Sequence, residues 1–231
     1  MATRQPTQAA VKIARGQKIS GEIDYLTLSF SALEQEVAAW ADKLRAAGVS
    51  RGDRVLVMVR QGLPLIAAAF GLFKIGAIPI IIDPGMARKN FLACVARSQP
   101  RVLLGIPLAQ ITSYIFRTAF AAVRIRIWAS SSPTAQLASA QKINAPVTLA
   151  ADCAATDLAA ILFTSGSTGA PKGVCYEHGM FAAQVRLVRT TYGITPGEID
   201  LPLLPIFALF NPALGMTTIV PAIDPRQPAN L

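Results

Sequence analysis

The residue types best suited to chemistry are gathered in one loop, between residues 164 and 173. The sequence there reads T-S-G-S-T-G-A-P-K-G, and it follows an apolar run, I-L-F, that is typical of a buried strand. Hydroxyl groups can donate hydrogen bonds to phosphate oxygens, glycines let backbone N–H groups approach closely, and a lysine adds a compact positive charge. The pattern therefore predicts a phosphate-binding loop formed by Thr164, Ser165, Gly166, Ser167, Thr168, Gly169 and Lys172.

Other glycine-rich motifs do not match this loop. Lys172 follows Pro171 and precedes Gly173, so the G-x-x-x-x-G-K-[ST] loop of P-loop NTPases is absent. The spacing of Gly166 and Gly169 fits neither the G-x-G-x-x-G dinucleotide fingerprint nor the G-x-S-x-G nucleophile elbow. A flexible Ser/Thr/Gly linker is the alternative, but the preceding apolar run and the Pro-Lys-Gly ending favour a phosphate loop.

The segment T-S-G-S-T-G-A-P-K-G-V resembles the nucleotide-phosphate signature of the adenylate-forming superfamily, which includes acyl-CoA synthetases, peptide-synthetase adenylation domains and luciferases. Residues 30–59, 72–85 and 200–210 also resemble blocks of that family, in the family's order, so the resemblance runs from about residue 25 onward. It implies ATP and Mg²⁺ as cofactors, a small-molecule carboxylic acid as substrate, and acyl-adenylate formation. Lys172 would then be the catalytic residue of the loop.

The segment from 205 to 215 bears on the subclass. Most acyl-CoA and aryl-CoA ligases carry an aromatic–histidine pair here, whereas this chain has Phe207 followed by Ala208. The segment resembles the β-lactone synthetases of bacterial long-chain olefin biosynthesis, where alanine likewise replaces the histidine, although Asn211 stands where an aspartate is expected. The resemblance implies that Phe207 and Ala208 lie near the substrate; an apolar core helix and strand would explain the hydrophobic residues equally well.

Three functions stay open at this point. The first is activation of a long-chain β-hydroxy acid that closes to a β-lactone, with possible assembly with other olefin-biosynthesis enzymes. The second is a fatty acyl-CoA ligase, and the third is an inactive fragment with at most nucleotide binding.

Hydrophobic periodicity predicts a regular β/α alternation. Strands are expected at residues 25–30, 54–59, 78–82, 102–105, 123–128 and 158–163, and helices at 31–47, 63–75, 88–97, 108–117 and 180–192. Ser31 and Glu34 suggest a capping box for the first helix, whose buried face should contain Leu33, Val37, Trp40, Ala41 and Leu44. The last helix should direct Phe181, Val185, Leu187 and Val188 toward the sheet. The alternation predicts an α/β fold with a doubly wound parallel sheet.

Domain organisation follows from these elements and from the resemblance. Residues 1–22 contain Arg4, Lys12, Arg15 and Lys18 and suggest a basic N-terminal arm. Residues 23–231 would form part of an AMP-binding large domain, a truncated N-terminal domain of the adenylate-forming fold, with a variable connector at 129–156. The family's small C-terminal domain would be absent, because its motifs should lie beyond Leu231.

Bulk properties exclude several classes of protein. The formal net charge is +9 and 52% of residues are hydrophobic, but the basic residues lack the aromatic interleaving or motifs of nucleic-acid binding. The most apolar stretch, residues 63–82, contains Lys74 and several Gly and Pro residues, so no membrane span is predicted. Three scattered cysteines support neither disulfides nor a metal site, and the polar N-terminus lacks a secretory signal, so cytoplasmic residence is expected.

Three polar residues outside the loop are better explained by structural roles. His178, the only histidine, lacks partners in sequence and is expected to cap or pack a helix. Asp83 is expected in an Asx-type turn, and Asp200 at a strand start or cap.

Overall fold

The computed structural model describes residues 1–83, 85–129, 150–164, 171–202 and 207–220. Five of the predicted loop residues, Ser165, Gly166, Ser167, Thr168 and Gly169, lie outside the described residues, as does most of the predicted connector at 129–156.

The described elements alternate as the periodicity predicts. The strands are β1 (Ala9–Gln17), β2 (Ile23–Ser29), β3 (Arg54–Met58), β4 (Ile78–Ile82), β5 (Val102–Gly105), β6 (Ile125–Trp128), β7 (Leu158–Thr164), β8 (Lys172–Glu177), β9 (Ile199–Asp200) and β10 (Thr217–Val220). The helices are α1 (Phe30–Ala46), α2 (Leu63–Lys74), α3 (Arg88–Ser98), α4 (Pro107–Ile115), α5 (His178–Tyr192) and α6 (Asn211–Leu214), with a 3₁₀ turn at Phe207–Leu209.

The larger sheet has the strand order β6-β5-β3-β4-β7-β8, in which β8 alone runs antiparallel to its neighbour. Side chains of its central strands alternate between two hydrophobic clusters, one on each face. Val55 and Val57 of β3 join the cluster that contains α1 and α2, while Leu56 joins the cluster that contains Val95 of α3. Helices therefore cover both faces of a mainly parallel sheet, and the predicted doubly wound α/β fold is confirmed.

A second sheet has the order β2-β1-β10-β9 and was not predicted. Its strand β1 lies within residues 1–22, which were expected to form a basic arm, and pairs antiparallel with β2 and parallel with β10. Val11 is fully buried, and Lys12 occupies a position between the buried residues Val11 and Ile13. The basic residues hid the pattern of buried and exposed positions of β1 in the sequence. Arg15 does not belong to a free arm but forms an ion pair with Asp24 of β2.

Helix α1 begins one residue before the predicted start. Its N-cap is Ser29, whose Oγ accepts a hydrogen bond from the Ala32 N–H at 3.2 Å, so the predicted capping box of Ser31 and Glu34 is wrong. The carboxylate of Glu34 instead pairs with Lys74 of α2. The five apolar residues predicted for its buried face are all buried.

Helix α5 packs less deeply than predicted. Phe181, Val185 and Val188 are half-buried, whereas Leu187 remains 66% exposed, so its predicted contact with the sheet is wrong. The physical reason is position, because α5 follows β8, the edge strand, and has no buried residue.

Candidate nucleotide-phosphate site

The predicted phosphate loop is held between two paired strands. Strands β7 and β8 form an antiparallel pair whose register joins Leu162 to Val174, Phe163 to Gly173, and Thr164 to Lys172. Thr164 is the last residue of β7 and Lys172 is the first of β8, so the loop connects the two ends of one hairpin. The loop emerges at the carboxyl end of the parallel strands, where open α/β sheets bind ligands.

Lys172 is an exposed side chain at the base of this loop. Strand register brings the backbones of two predicted site residues together, because the Cα atoms of Thr164 and Lys172 are partners across the hairpin. Pairing with β4 on the other side, Ile82 beside Phe163, places the end of a second parallel strand next to the loop.

Close packing fixes the base of the loop. A Cβ added to Gly173 would lie 2.9 Å from the ring of Phe163, a distance that real Cβ atoms do not show, so the site requires glycine at this position. Phe163 is itself buried in the sheet. The glycine next to Lys172 therefore has a packing role, and it lets the hairpin close tightly against the aromatic ring.

Arg97 of α3 reaches the same base and was missed in the sequence. Its guanidinium lies 5.3 Å from the centre of the Phe163 ring, and its Nη2 donates a hydrogen bond to the Pro171 carbonyl at 2.9 Å. No local pattern could have revealed this contact, because 74 residues separate the partners.

Asp83 follows β4 at the same edge of the sheet. Its Oδ1 accepts a hydrogen bond from the Gly85 N–H at 2.9 Å, and its carbonyl accepts one from the Met86 N–H at 3.1 Å. The predicted Asx-type turn is confirmed.

His178 lies at the far end of β8 from Lys172. Its backbone N–H donates to the Asp157 carbonyl at 3.1 Å, and its ring meets Phe73 edge-on at 6.2 Å between centroids. The predicted packing role of His178 is confirmed.

The carboxylate of Asp157 accepts hydrogen bonds from the Ala154 N–H and from Arg51, and these hold the pKa of Asp157 below its usual range.

A groove in the described part of the chain opens near His178. Its volume is about 720 Å³, and its lining includes Phe30 of α1, Phe73 of α2 and Ala213 of α6. Since His178 and Lys172 lie at opposite ends of β8, the groove is about 17 Å along the strand from the loop. This groove is therefore separate from the candidate phosphate site.

The two residues proposed near the substrate, Phe207 and Ala208, belong to the 3₁₀ turn before α6. Ala208 is 6% exposed and belongs to the hydrophobic cluster of α1 and α2, and it lines neither of the two grooves found among the described residues. The side chain of Phe207 lies outside the described residues.

Asn211 immediately follows this turn and forms a specific pair. It is 4% exposed, and its Nδ2 donates a hydrogen bond to Oδ2 of Asp200 at 2.9 Å. An amide suits this position because a carboxylate there would face the carboxylate of Asp200. Asp200 is the last residue of the short strand β9, which begins at Ile199, so the prediction that Asp200 starts a strand is wrong.

Comparison with known proteins assigns the family. Residues 2–222 match the family model described as AMP-binding enzyme. The chain belongs to the AMP-binding enzyme family. The predicted resemblance is confirmed by this match over nearly the whole sequence.

Two curated relatives of this AMP-binding chain are olefin beta-lactone synthetases. The protein from Xanthomonas campestris pv. campestris is 40% identical over 99% of this chain, and the one from Stenotrophomonas maltophilia is 39% identical over 99%. In both cases the chain spans only 42% of the relative's length.

Solved structures share the fold. The N-terminal domain of FACL13 from Mycobacterium tuberculosis has a TM-score of 0.77 at 22% identity, covering 96% of this chain and 55% of that one. A fatty acyl-adenylate ligase from L. pneumophila has a TM-score of 0.69 at 24% identity, covering 95% of this chain and 38% of that one. No helix in the described part of the AMP-binding chain is both long and apolar enough to cross a membrane.

Proposed function

We propose that the protein containing this chain activates a carboxylic acid with ATP, forming an acyl-adenylate and releasing pyrophosphate. The observation that carries the proposal is the β7–β8 hairpin, whose strand ends Thr164 and Lys172 lie at the carboxyl edge of the parallel sheet, with Lys172 exposed. Membership of the AMP-binding enzyme family supports the same chemistry.

In the proposed reaction, a carboxylate oxygen attacks the α-phosphorus of ATP, and the bond to the bridging oxygen of the β-phosphate breaks. Charge develops on the departing pyrophosphate. The loop's hydroxyl and backbone N–H groups would hold the β- and γ-phosphates, and the Lys172 ammonium would stabilise that charge electrostatically. Lys172 forms no covalent bond in this scheme.

The residues at the loop base fit a phosphate ligand. Lys172 begins β8, and Gly173 and Phe163 keep the two strands closely packed below the loop. Mg²⁺ would be held by the phosphates of ATP and neutralise part of their charge. The described residues offer no group of three His, Cys, Asp or Glu side chains as a metal site, so the proposal assigns the ion no ligand among them.

The proposed substrate is a long-chain β-hydroxy fatty acid. After adenylation, its own β-hydroxyl oxygen would attack the acyl carbonyl, the hydroxyl proton would be lost, and AMP would leave, closing a four-membered β-lactone without CoA. Support comes from the two olefin beta-lactone synthetases that are 40% and 39% identical to this chain. Residence in the cytoplasm and assembly with other olefin-biosynthesis enzymes form part of the same proposal.

The test uses the intact protein with Mg-ATP and a long-chain β-hydroxy acid, and follows pyrophosphate, CoA and β-lactone separately. The expected result is pyrophosphate release with equal β-lactone and no dependence on CoA. Pyrophosphate release that yields acyl-CoA and consumes CoA would support the fatty acyl-CoA ligase instead. Absence of pyrophosphate release would refute carboxylate activation.

The role of Lys172 is tested by Lys172→Ala in the same protein. We expect pyrophosphate formation to fall at least about 100-fold, the effect typical of removing one electrostatic stabiliser. The matched control is Lys18→Ala, since Lys18 lies outside the hairpin beside Glu22 in the turn before β2. Equal activity of the two variants would remove the central inference about the loop.

A further inference from the structure

Helix α4 has the reverse of the usual polarity. Its outward residues are apolar, with Leu108 and Ile115 each 67% exposed and Ile111 54% exposed. Its inward residues include Gln110 and Ser113, each 1% exposed. A helix on the surface of a globular protein normally places its apolar stripe inward, so the outer face of α4 calls for a separate explanation.

Hydrogen bonds fix this orientation. Nε2 of Gln110 donates to the Ile127 carbonyl of β6 at 3.0 Å, and Oγ of Ser113 donates to the Gln110 carbonyl at 2.7 Å. Nε of Arg126 donates to Ser113 Oγ at 3.3 Å. Rotating α4 to bury its apolar side would break these contacts, so the exposed apolar residues are a stable feature of the fold.

The apolar surface continues onto the edge of the larger sheet. Trp128, the last residue of the edge strand β6, is 58% exposed. Arg126, two residues earlier on the same face of β6, lies 4.6 Å from the centre of the Tyr114 ring on α4. We use "α4 face" for the surface made by the following exposed residues: Leu108, Ile111, Tyr114, Ile115 and Trp128.

The stretch of sequence that contains the α4 face is rich in positive charge. Residues 84–151 include no Asp or Glu and eight Lys or Arg, namely Arg88, Lys89, Arg97, Arg101, Arg117, Arg124, Arg126 and Lys142. This segment alone therefore carries +8 of the chain's formal net charge of +9. Arg117 and Arg124, in the segment between α4 and β6, are exposed.

We propose that the α4 face docks on an anionic lipid surface, with its aliphatic residues entering the headgroup boundary and Arg117 and Arg124 meeting lipid phosphates. Aliphatic residues flanked by Tyr, Trp and Arg form the composition that binds membrane interfaces. The described helices are not suited to crossing the bilayer, so the contact is peripheral.

Charge and shape argue against two other occupants. A second copy paired through the same face would bring Arg117, Arg124 and their copies together, and like charges at an interface oppose association. A nucleic acid could meet these arginines with its phosphates and stack on Tyr114 and Trp128, but it would leave the aliphatic residues Leu108, Ile111 and Ile115 exposed to water. An anionic lipid surface suits both the aliphatic residues and the arginines.

Vesicle co-sedimentation of the intact protein that contains this chain tests the proposal. Vesicles of equal phosphatidylglycerol and phosphatidylcholine are compared with vesicles of phosphatidylcholine alone. We expect at least tenfold stronger partitioning onto the anionic vesicles, weakened by added salt. Equal partitioning onto both kinds of vesicle would overturn the proposal.

Two variants locate the contact. Leu108→Ser/Ile111→Ser should lower partitioning at least tenfold, and Arg117→Gln/Arg124→Gln should lower it about 25-fold, since each arginine near an anionic surface contributes about a fivefold factor. The matched control is Arg186→Gln/Leu187→Ser on α5, where Leu187 is as exposed as Leu108. An equal loss in the control would overturn the assignment to α4.

Two measurements decide between occupants. Light scattering should give a monomer mass for the wild type. If the wild type is instead a dimer and the variant Leu108→Ser/Ile111→Ser is a monomer, a second copy covers the α4 face and the lipid proposal is refuted. Polyglutamate is the probe for an acidic polypeptide. Binding to polyglutamate as strong as to the anionic vesicles, and unchanged by the two serines, would refute a lipid contact.

Discussion

The Asn211–Asp200 pair gives a prediction whose size can be derived from the structure. The substitution Asn211→Asp keeps the side-chain volume but replaces the amide donor with a second carboxylate beside Oδ2 of Asp200. Asn211 is almost fully buried, so water screens the new charge poorly. The variant should be destabilised strongly at neutral pH and only slightly in acid.

The loss of unfolding free energy is set by whichever of two responses of the folded protein costs less: tolerating the charge repulsion or binding a proton. Two like charges about 4 Å apart repel by about 4 kcal/mol at the effective dielectric of a protein site. The protein can avoid this by binding one proton, and protonating an ordinary aspartic acid at pH 7 costs about 4 kcal/mol, at about 1.4 kcal/mol per pH unit above a pKa of about 3.9. The protonated carboxyl then donates the hydrogen bond that the amide had donated.

The sign of the pH dependence is fixed by this argument. The shared proton raises the folded-state pKa of the carboxyl pair, so the folded variant binds more protons than the unfolded chain. Its stability is present at low pH and is lost as pH rises through that raised pKa. Relative to the wild type, the deficit in unfolding free energy should be about 4 kcal/mol at pH 7 and shrink by about 1.4 kcal/mol per pH unit towards pH 4.

Urea unfolding monitored by tryptophan fluorescence at pH 7, 6 and 5 measures the deficit. The exchange variant Asp200→Asn/Asn211→Asp is the control, because it restores one amide and one carboxylate and should recover most of the stability at pH 7. A deficit that stays constant across these pH values, or an exchange variant as unstable as the single one, would show that the pair does not interact as described.

Three further predictions concern single side chains. Burial raises the pKa of the Glu36 carboxyl, whose Oε1 has no hydrogen-bond partner. Glu36→Gln should therefore raise the unfolding free energy by about 1 kcal/mol at pH 7, and a gain that does not fade towards pH 4 would contradict this. Gly173→Ala should cost about 1 to 3 kcal/mol because its Cβ meets the Phe163 ring, and an unchanged melting temperature would disprove the packing argument. Arg97→Gln should lower kcat/KM for ATP of the intact enzyme about tenfold, because the Pro171 carbonyl loses the hydrogen bond from Arg97. Pyrophosphate release at the wild-type rate would show that Arg97 does not support the loop.

The central strands were predictable because burial on both faces leaves a continuous apolar run. Strands β4 and β5 occupy the predicted residues, since continuous apolar runs such as I-P-I-I-I and V-L-L-G are typical of short parallel strands buried on both faces. The sequence pattern also predicts a phosphate loop, most of which lies outside the described residues; the structure describes the paired strands β7 and β8 on either side of it.

Other features depend on distant partners and leave no local signal. Strand β8 reads K-G-V-C-Y-E and has no buried residue, so only its pairing with β7 makes it a strand. Periodicity predicted helix α4, but it could not show which side faces inward, because that side is set by the hydrogen bonds that Gln110 donates to carbonyls of β5 and β6. The contact of Arg97 with the loop base depends on the same kind of long-range packing.

The pairing of β1 with β10 has a consequence for the order of folding. Strand β1 lies between β2 and β10, and Oγ1 of Thr217 donates a hydrogen bond to the Ala9 carbonyl across 208 positions of sequence. During synthesis, β1 and β2 leave the ribosome early, but one edge of β1 stays unpaired until residues 217–220 emerge. An unpaired strand edge favours association with other chains, so translation pauses before residue 217 should promote aggregation of the nascent protein.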